Sequence, residues 1–219
     1  MRYHAVALFI LLCVMAGSPA AAADPDRIGE PLRKGVFLYS APHLRDPNFA
    51  QSVVLLVTYG EEGASGLIIN RSTHIAPDRA LPNLEGIKKM STPVHFGGPV
   101  NPHLMLILLR SPESLPGAQN VLEDLYFTTD SKILSNALRN QDPDRTIRIY
   151  AGYSGWAPGQ LDREFARGDW ISADADPSSV FSEDPSRLWS TFFENRGKIQ
   201  IRFPEPEGDY TVSPGMVEQ

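Results

Sequence analysis

The sequence predicts an α+β domain: a mixed, mostly antiparallel sheet carrying three or so short helices. Three observations lead there. Apolar β-branched runs and amphipathic segments are mixed, without the strict alternation that a parallel sheet requires. A hairpin-like turn, Gly60-Glu-Glu-Gly63, separates two strongly apolar runs. The helical stretches are short, and each carries its own start or stop residues.

Residues 24–34 are polar, contain two prolines, and read as a linker. A short strand follows at 36–39. Asp46-Pro47 opens a turn, and 52–59 is an apolar strand of the kind buried on both faces. After the glycine turn, 66–70 is the return strand. A weak helix begins after Asp78 and is interrupted by Pro82. Residues 94–96 form a strand ended by Gly97-Gly98-Pro99. The most apolar strand is 103–109, and another lies at 126–128.

The first firm helix is 130–139, capped by Asp130, with Ile133, Leu134, Ala137 and Leu138 on one face. A turn at 142–145 leads into a strand at 146–150. Gly152 to Gly155 reads as a tight connection from that strand to a second helix at 158–167, stopped by Gly168. A strand at 170–172 follows. Asp184-Pro185 starts a third helix that runs to Asn195 and ends at Gly197, with Pro185 suited to its first position. Residues 198–219 read as a C-terminal extension, with an edge-strand pattern at 200–203 and then a proline-rich, largely disordered tail.

The N-terminus has the pattern of a signal peptide over 1–23. Arg2 and His4 give a basic start, 5–16 is an apolar run too short to span a bilayer, and small residues lead to cleavage after Ala23. That predicts a periplasmic or secreted protein with no stable membrane span after processing. Cys13 is the only cysteine and falls inside the leader, so the processed chain carries no thiol chemistry. The net charge is −6 with 20 basic and 26 acidic residues, and loss of Arg2 with the leader makes it −7. An acidic chain with no clustered basic face is not expected to bind nucleic acid directly.

The segment Gly152-Tyr-Ser-Gly-Trp-Ala-Pro-Gly-Gln-Leu-Asp-Arg-Glu-Phe-Ala-Arg-Gly-Asp-Trp170 packs four glycines and two tryptophans around one short helix. Three further blocks accompany it: Ser40-Ala-Pro-His-Leu-Arg-Asp-Pro-Asn-Phe-Ala-Gln-Ser-Val-Val-Leu-Leu56, Gly66-Leu-Ile-Ile-Asn-Arg71 and Phe96-Gly-Gly-Pro-Val100. On these residues the chain resembles the YqgE/AlgH family of small bacterial proteins over residues 35–197. The resemblance implies a single compact domain of coiled sheets. It also implies a cytoplasmic location as the alternative to export, and it points to a family and a fold more than to an activity. Relatives often carry a histidine near the end of the strand after Gly-Gly-Pro, where this chain has Arg110.

No catalytic residue is assigned. Ser154 lacks the second flanking glycine of a nucleophile elbow, because Trp156 stands there. His43, His74, His95 and His103 are scattered without metal-ligand spacing, so neither metal nor cofactor is expected. The ligand-lining candidates are Asp46, Asn70 and Arg71 at neighbouring strand ends, the Gly97-Gly98 pair, and Trp156 with Gln160. The favoured function is a non-enzymatic regulatory or partner-binding role. A small-molecule binding module using the Gly-Gly-Pro and Gly-Tyr-Ser-Gly-Trp loops is the first alternative, and an enzyme of unassigned chemistry the second.

Overall fold

The computed structural model describes residues 29–139 and 146–198. The expected signal peptide, residues 24–28 of the linker, the 142–145 turn and nearly all of the C-terminal extension lie outside the described residues.

The strands are β1 (Val36–Ser40), β2 (Val53–Gly60), β3 (Gly63–Ile68), β4 (His95–Phe96), β5 (Val100–Arg110), β6 (Gln119–Leu122), β7 (Leu125–Thr128), β8 (Ile147–Trp156) and β9 (Trp170–Asp174). The described α-helices are α1 (Pro77–Ala80), α2 (Ser131–Ala137), α3 (Gln160–Arg167), α4 (Pro177–Val180) and α5 (Leu188–Lys198). The strand order is β6-β7-β5-β8-β3-β2-β1-β9, with β4 paired to β8 beside this path. The β4–β8 pair is parallel; the other ladders are antiparallel. This is the expected mixed sheet in a single α+β domain.

Four elements differ from the sequence expectation. α5 starts at Leu188 after a 3-10 turn at Pro185–Arg187 and runs through Gly197 to Lys198, and α4 has no counterpart in that expectation. β6 has no counterpart either, because Gln119-Asn-Val-Leu122 carries little β-branched character. The strand expected to end at Tyr150 instead runs through the glycines to Trp156. Glycine reads as punctuation in the sequence, yet here it lets one strand serve two half-sheets. Residues 147–151 and Tyr153 of β8 pair with β5, while Tyr150 and Ala151 also pair with β4 and 154–156 pair with β3. The partner changes from β4 to β3 across Gly152, whose φ is +70°.

The sheet curls far enough that β6 reaches back toward β2. The Gln119 side chain donates to the Val57 carbonyl at 3.0 Å, and Lys34 donates to that of Asn120 at 2.7 Å. The result is a half-barrel, and period-two alternation sorts side chains between its faces. Val53, Leu55 and Val57 point inward with Phe37, Leu67, Leu106, Leu108 and Tyr150. Val54 and Leu56 point outward to a second core with Val36, Leu38, Ile68 and the α3 residue Leu161. Ile107, Leu109, Ile147 and Ile149 form a third core under α2. Burial on both faces explains the unbroken apolar run of β2, each such side chain contributing about 1.5–3 kcal/mol. The segment from α4 to α5 closes the open side of the half-barrel, with Val180, Phe181, Leu188 and Phe192 packed against the inner core.

Candidate functional site

The glycine signature sits where the half-sheets meet. A Cβ on Gly97 would lie 2.2 Å from the Gly152 carbonyl oxygen, and one on Gly98 2.3 Å from the Tyr153 carbonyl carbon. Backbone presses on backbone here, so these glycines are required by close approach. The Ser154 hydroxyl is buried and donates to the Gly97 carbonyl at 3.3 Å. Gly97 also accepts from Ile68 N–H and donates to the Ala151 carbonyl, which ties β3, β4 and β8 together.

Trp156 and Trp170 are 6% and 2% exposed and meet edge to face at 5.8 Å. Both indole N–H groups donate to one oxygen of Glu164, each at 2.9 Å. The other oxygen of Glu164 accepts from Gln160 at 2.8 Å, and Gln160 accepts from the Ala157 N–H. One carboxylate on α3 thereby satisfies two buried indoles and, through Gln160, the turn that starts its own helix. Gln160 and Glu164 are four apart, so they share a helix face.

Asp46, Asn70 and Arg71 come together around the loop before β2. Asp46 accepts from the Asn48 N–H at 2.8 Å in an Asx turn. Asn70 accepts from Val53 N–H and donates to the Gln51 carbonyl, while Arg71 donates to the carbonyls of Asn48 and Ala50. Burial lowers the pKa of Arg71, and the Asp46 charge opposes that. Asn70 and Arg71 also edge a small cleft of about 400 Å³ facing Trp189. The sequence candidates thus fall into three separate places rather than one pocket.

A different set of side chains converges at the mouth of the half-barrel. Here a cavity of about 600 Å³ lies between β4, the ends of β5 and β8, and the α4–α5 segment. Arg148 and Tyr150 share the inward face of β8, opposite Ile147 and Ile149. Arg148 is 4% exposed and donates to the carbonyls of Ile147 and Phe181 at 3.1 and 3.0 Å, and its guanidinium lies 5.2 Å from the Phe181 ring centre. Arg110 stands at the edge, held by Asp124 at 2.7 and 2.9 Å. His95, on β4, is 2% exposed and 5.4 Å from the Tyr150 ring. Its Nε2 lies 3.2 Å from the Ser72 hydroxyl. Its Nδ1 makes no well-formed hydrogen bond among the described residues, though the Pro93 backbone is near enough to favour the charged ring. Burial, helped by the Arg148 charge, nonetheless pushes the His95 pKa down to about 4, so the ring is neutral near pH 7.

None of the mouth residues carries a motif. Arg148 had one signal: a charge inside Thr-Ile-Arg-Ile-Tyr150, in the phase opposite two isoleucines. That reads as a solvent-facing position unless the second face is known to be buried. A larger cleft of about 940 Å³ lies between α5 and β9, near Tyr39 and Phe192. Among the described residues there is no cluster of metal-ligating side chains, and no helix is long and apolar enough to cross a membrane.

Fold and site together define a small single-domain protein in which a glycine–tryptophan segment locks two coiled half-sheets and a polar cavity opens at one end. The chain belongs to the AlgH-like family, whose model matches residues 37–199. It is 32% identical to a UPF0301 protein of Chlorobaculum tepidum over 169 residues, 77% of this chain and 89% of that one. It is 35% identical to a UPF0301 protein of Myxococcus xanthus over 165 residues, 73% of this chain and 88% of the relative. The solution structure of the AlgH protein from Pseudomonas aeruginosa aligns with a TM-score of 0.64 at 30% identity, covering 78% of this chain and 92% of that one. A crystal structure of a Corynebacterium diphtheriae protein also aligns at 0.64, with 22% identity and coverage of 77% and 89%, and shares the fold.

Proposed function

We propose that this protein is a non-enzymatic binding module that holds a small molecule in the cavity at the mouth of the half-barrel, with a regulatory rather than a chemical output. The observation that carries this reading is His95: a buried imidazole whose Nδ1 has only the Pro93 backbone beside it, on the wall of a cavity it shares with two arginines. A buried polar atom wholly without a partner costs roughly 1–3 kcal/mol, and a ligand group would recover the part of it that a poor partner leaves. The volume suits a small molecule, and the mouth of a curled sheet is a usual place for one.

Ser72 and His95 are the nearest approach to a nucleophile–base pair in this cavity. The chemistry argues against them. A histidine with a pKa near 4 is a weak base at neutral pH, and no carboxylate among the described residues orients its Nδ1. The test is an NMR screen of the whole chain against a metabolite library of mixed charge, beside a turnover assay with activated esters. Saturable shifts at His95, Arg148 and Phe181 without turnover are expected. Turnover lost in Ser72→Ala would replace this reading with an enzymatic one. We also propose export with cleavage after Ala23, on the leader pattern alone. An intact Met1 on protein from the native host, read by mass spectrometry, would refute it.

A further inference from the structure

We propose that residues 176–187, the stretch carrying α4 and the turn before α5, form a strap that opens and closes the mouth cavity and is latched shut by Arg148. The purpose of the strap rests on the binding reading above, and its motion rests on its own contacts. Both ends are anchored. β9 pairs with β1 as far as Asp174. On the other side, the Trp189 indole donates to the Ser40 carbonyl at 2.8 Å, and Phe192 stacks on Tyr39 with ring centres 3.7 Å apart. Between these anchors the chain leaves the sheet.

The strap spends most of its polar groups on itself. Asp176 accepts from the Ser179 N–H at 2.9 Å and from the hydroxyls of Ser178 and Ser179. The N–H groups of Phe181 and Ser182 donate to the carbonyls of Pro177 and Ser179, each at 3.3 Å. Among the described residues, one hydrogen bond joins the strap to the sheet: Arg148 donates to the Phe181 carbonyl at 3.0 Å, with its guanidinium 5.2 Å from the Phe181 ring centre. Arg148 is also held by the Ile147 carbonyl, so it keeps its place when the strap lifts. Val180, 1% exposed, is the apolar anchor that the strap gives to the inner core.

Space lies on both sides of the strap. Ser178, Phe181 and Glu183 line the mouth cavity, Ser179 and Asp184 line the larger cleft beside α5, and Ser182 lines both. Close-packed interiors leave few voids larger than a water, and an element packed on both sides cannot swing. This segment has room behind it, few ties to the sheet and one latch, which are the conditions for local opening. Movement away from Arg148 uncovers the buried His95 and gives a ligand its way in. A ligand seated between the sheet and Phe181 binds the closed form and holds the strap down.

The experiment needs no ligand. Native-state hydrogen exchange is read by NMR on the whole chain, beside labelling of His95→Cys by a bulky aromatic disulfide in a Cys13→Ser background. The Ser179, Phe181 and Ser182 amides are expected to share one opening constant, at least roughly 100-fold larger than that of the β5–β8 ladder. The thiol introduced at position 95 should react with that same constant. Arg148→Met should raise both rates roughly tenfold, beyond any change in the ladder. If that variant does not fold, Phe181→Ala carries the test, with an increase of about threefold or more. Thiol labelling at the ladder's rate would mean that the mouth opens only when the domain unfolds, and would overturn the inference. Fast strap exchange with a protected thiol would overturn it too, since the amides would then fray without uncovering the cavity. So would rates that neither variant changes. A strap that opens while no compound binds removes the binding reading and leaves the motion standing; a compound that binds to a mouth that never opens does the reverse.

Discussion

The glycine–tryptophan segment and the half-barrel mouth share β8, and they are built on opposite terms. In the first, every polar group that the sequence made conspicuous has a partner: Ser154 on Gly97, two indoles on Glu164, and Gln160 on both Glu164 and Ala157. In the second, an imidazole nitrogen has only the Pro93 backbone beside it, and the nearby Tyr150 hydroxyl is buried with no hydrogen-bond partner among the described residues. A satisfied network holds a fold, whereas an unsatisfied one leaves free energy for a ligand to recover. The conspicuous motif therefore marks assembly, and the motif-free region is the better place to seek function.

That contrast breaks first at its largest expected effect. Trp156→Ala should lower unfolding free energy by roughly 3–5 kcal/mol, the usual cost of deleting a packed tryptophan, with ligand affinity at the mouth unchanged in the folded fraction. Denaturant unfolding of that variant at full parental stability would mean the ring is not a structural anchor. Gly97→Ala is expected to cost at least about 2–3 kcal/mol, since the new Cβ meets a backbone oxygen that cannot turn away. A thermal midpoint equal to the parent's would show that the half-sheets can separate there at little cost.

The mouth should instead report through pH. The His95 pKa falls from 6.5 to about 4 on folding, so the folded state resists protonation. Its contribution is complete above pH 6.5 and is lost as pH drops toward about 4, by up to about 3 kcal/mol. His95→Phe should flatten the stability profile in that window. An unchanged slope would assign the acid sensitivity to other groups. Glu164→Ala should cost roughly 2–3 kcal/mol at neutral pH, because two charge-assisted indole bonds disappear together. Ser154→Ala is the smallest effect, at most about 1 kcal/mol for one long hydrogen bond. Equal losses for the two would remove the special place given to the carboxylate.

Much of the fold was legible in residue order. The Gly60–Gly63 turn set the β2–β3 hairpin, Asp130 capped α2 through the Lys132 N–H, and Gly168 ended α3 in the left-handed region. These are local events, decided within a few residues by backbone sterics and hydrogen bonds. β6 and the continuation of β8 past Tyr150 were not legible, because a strand exists only when a partner strand is present to pair with it.

The candidate site divides along the same line. Alternation along β8 puts Arg148 opposite Ile147 and Ile149, and the sequence by itself determines that much. It does not determine that both faces of β8 are covered, one by α2 and the other by the α4–α5 segment. Only the curl of the sheet places Arg148 in the interior, with His95 arriving from a strand more than fifty residues earlier. The pKa of His95 and the availability of its Nδ1 follow from that enclosure. They depend on desolvation by distant parts of the chain, which no local pattern of residues encodes.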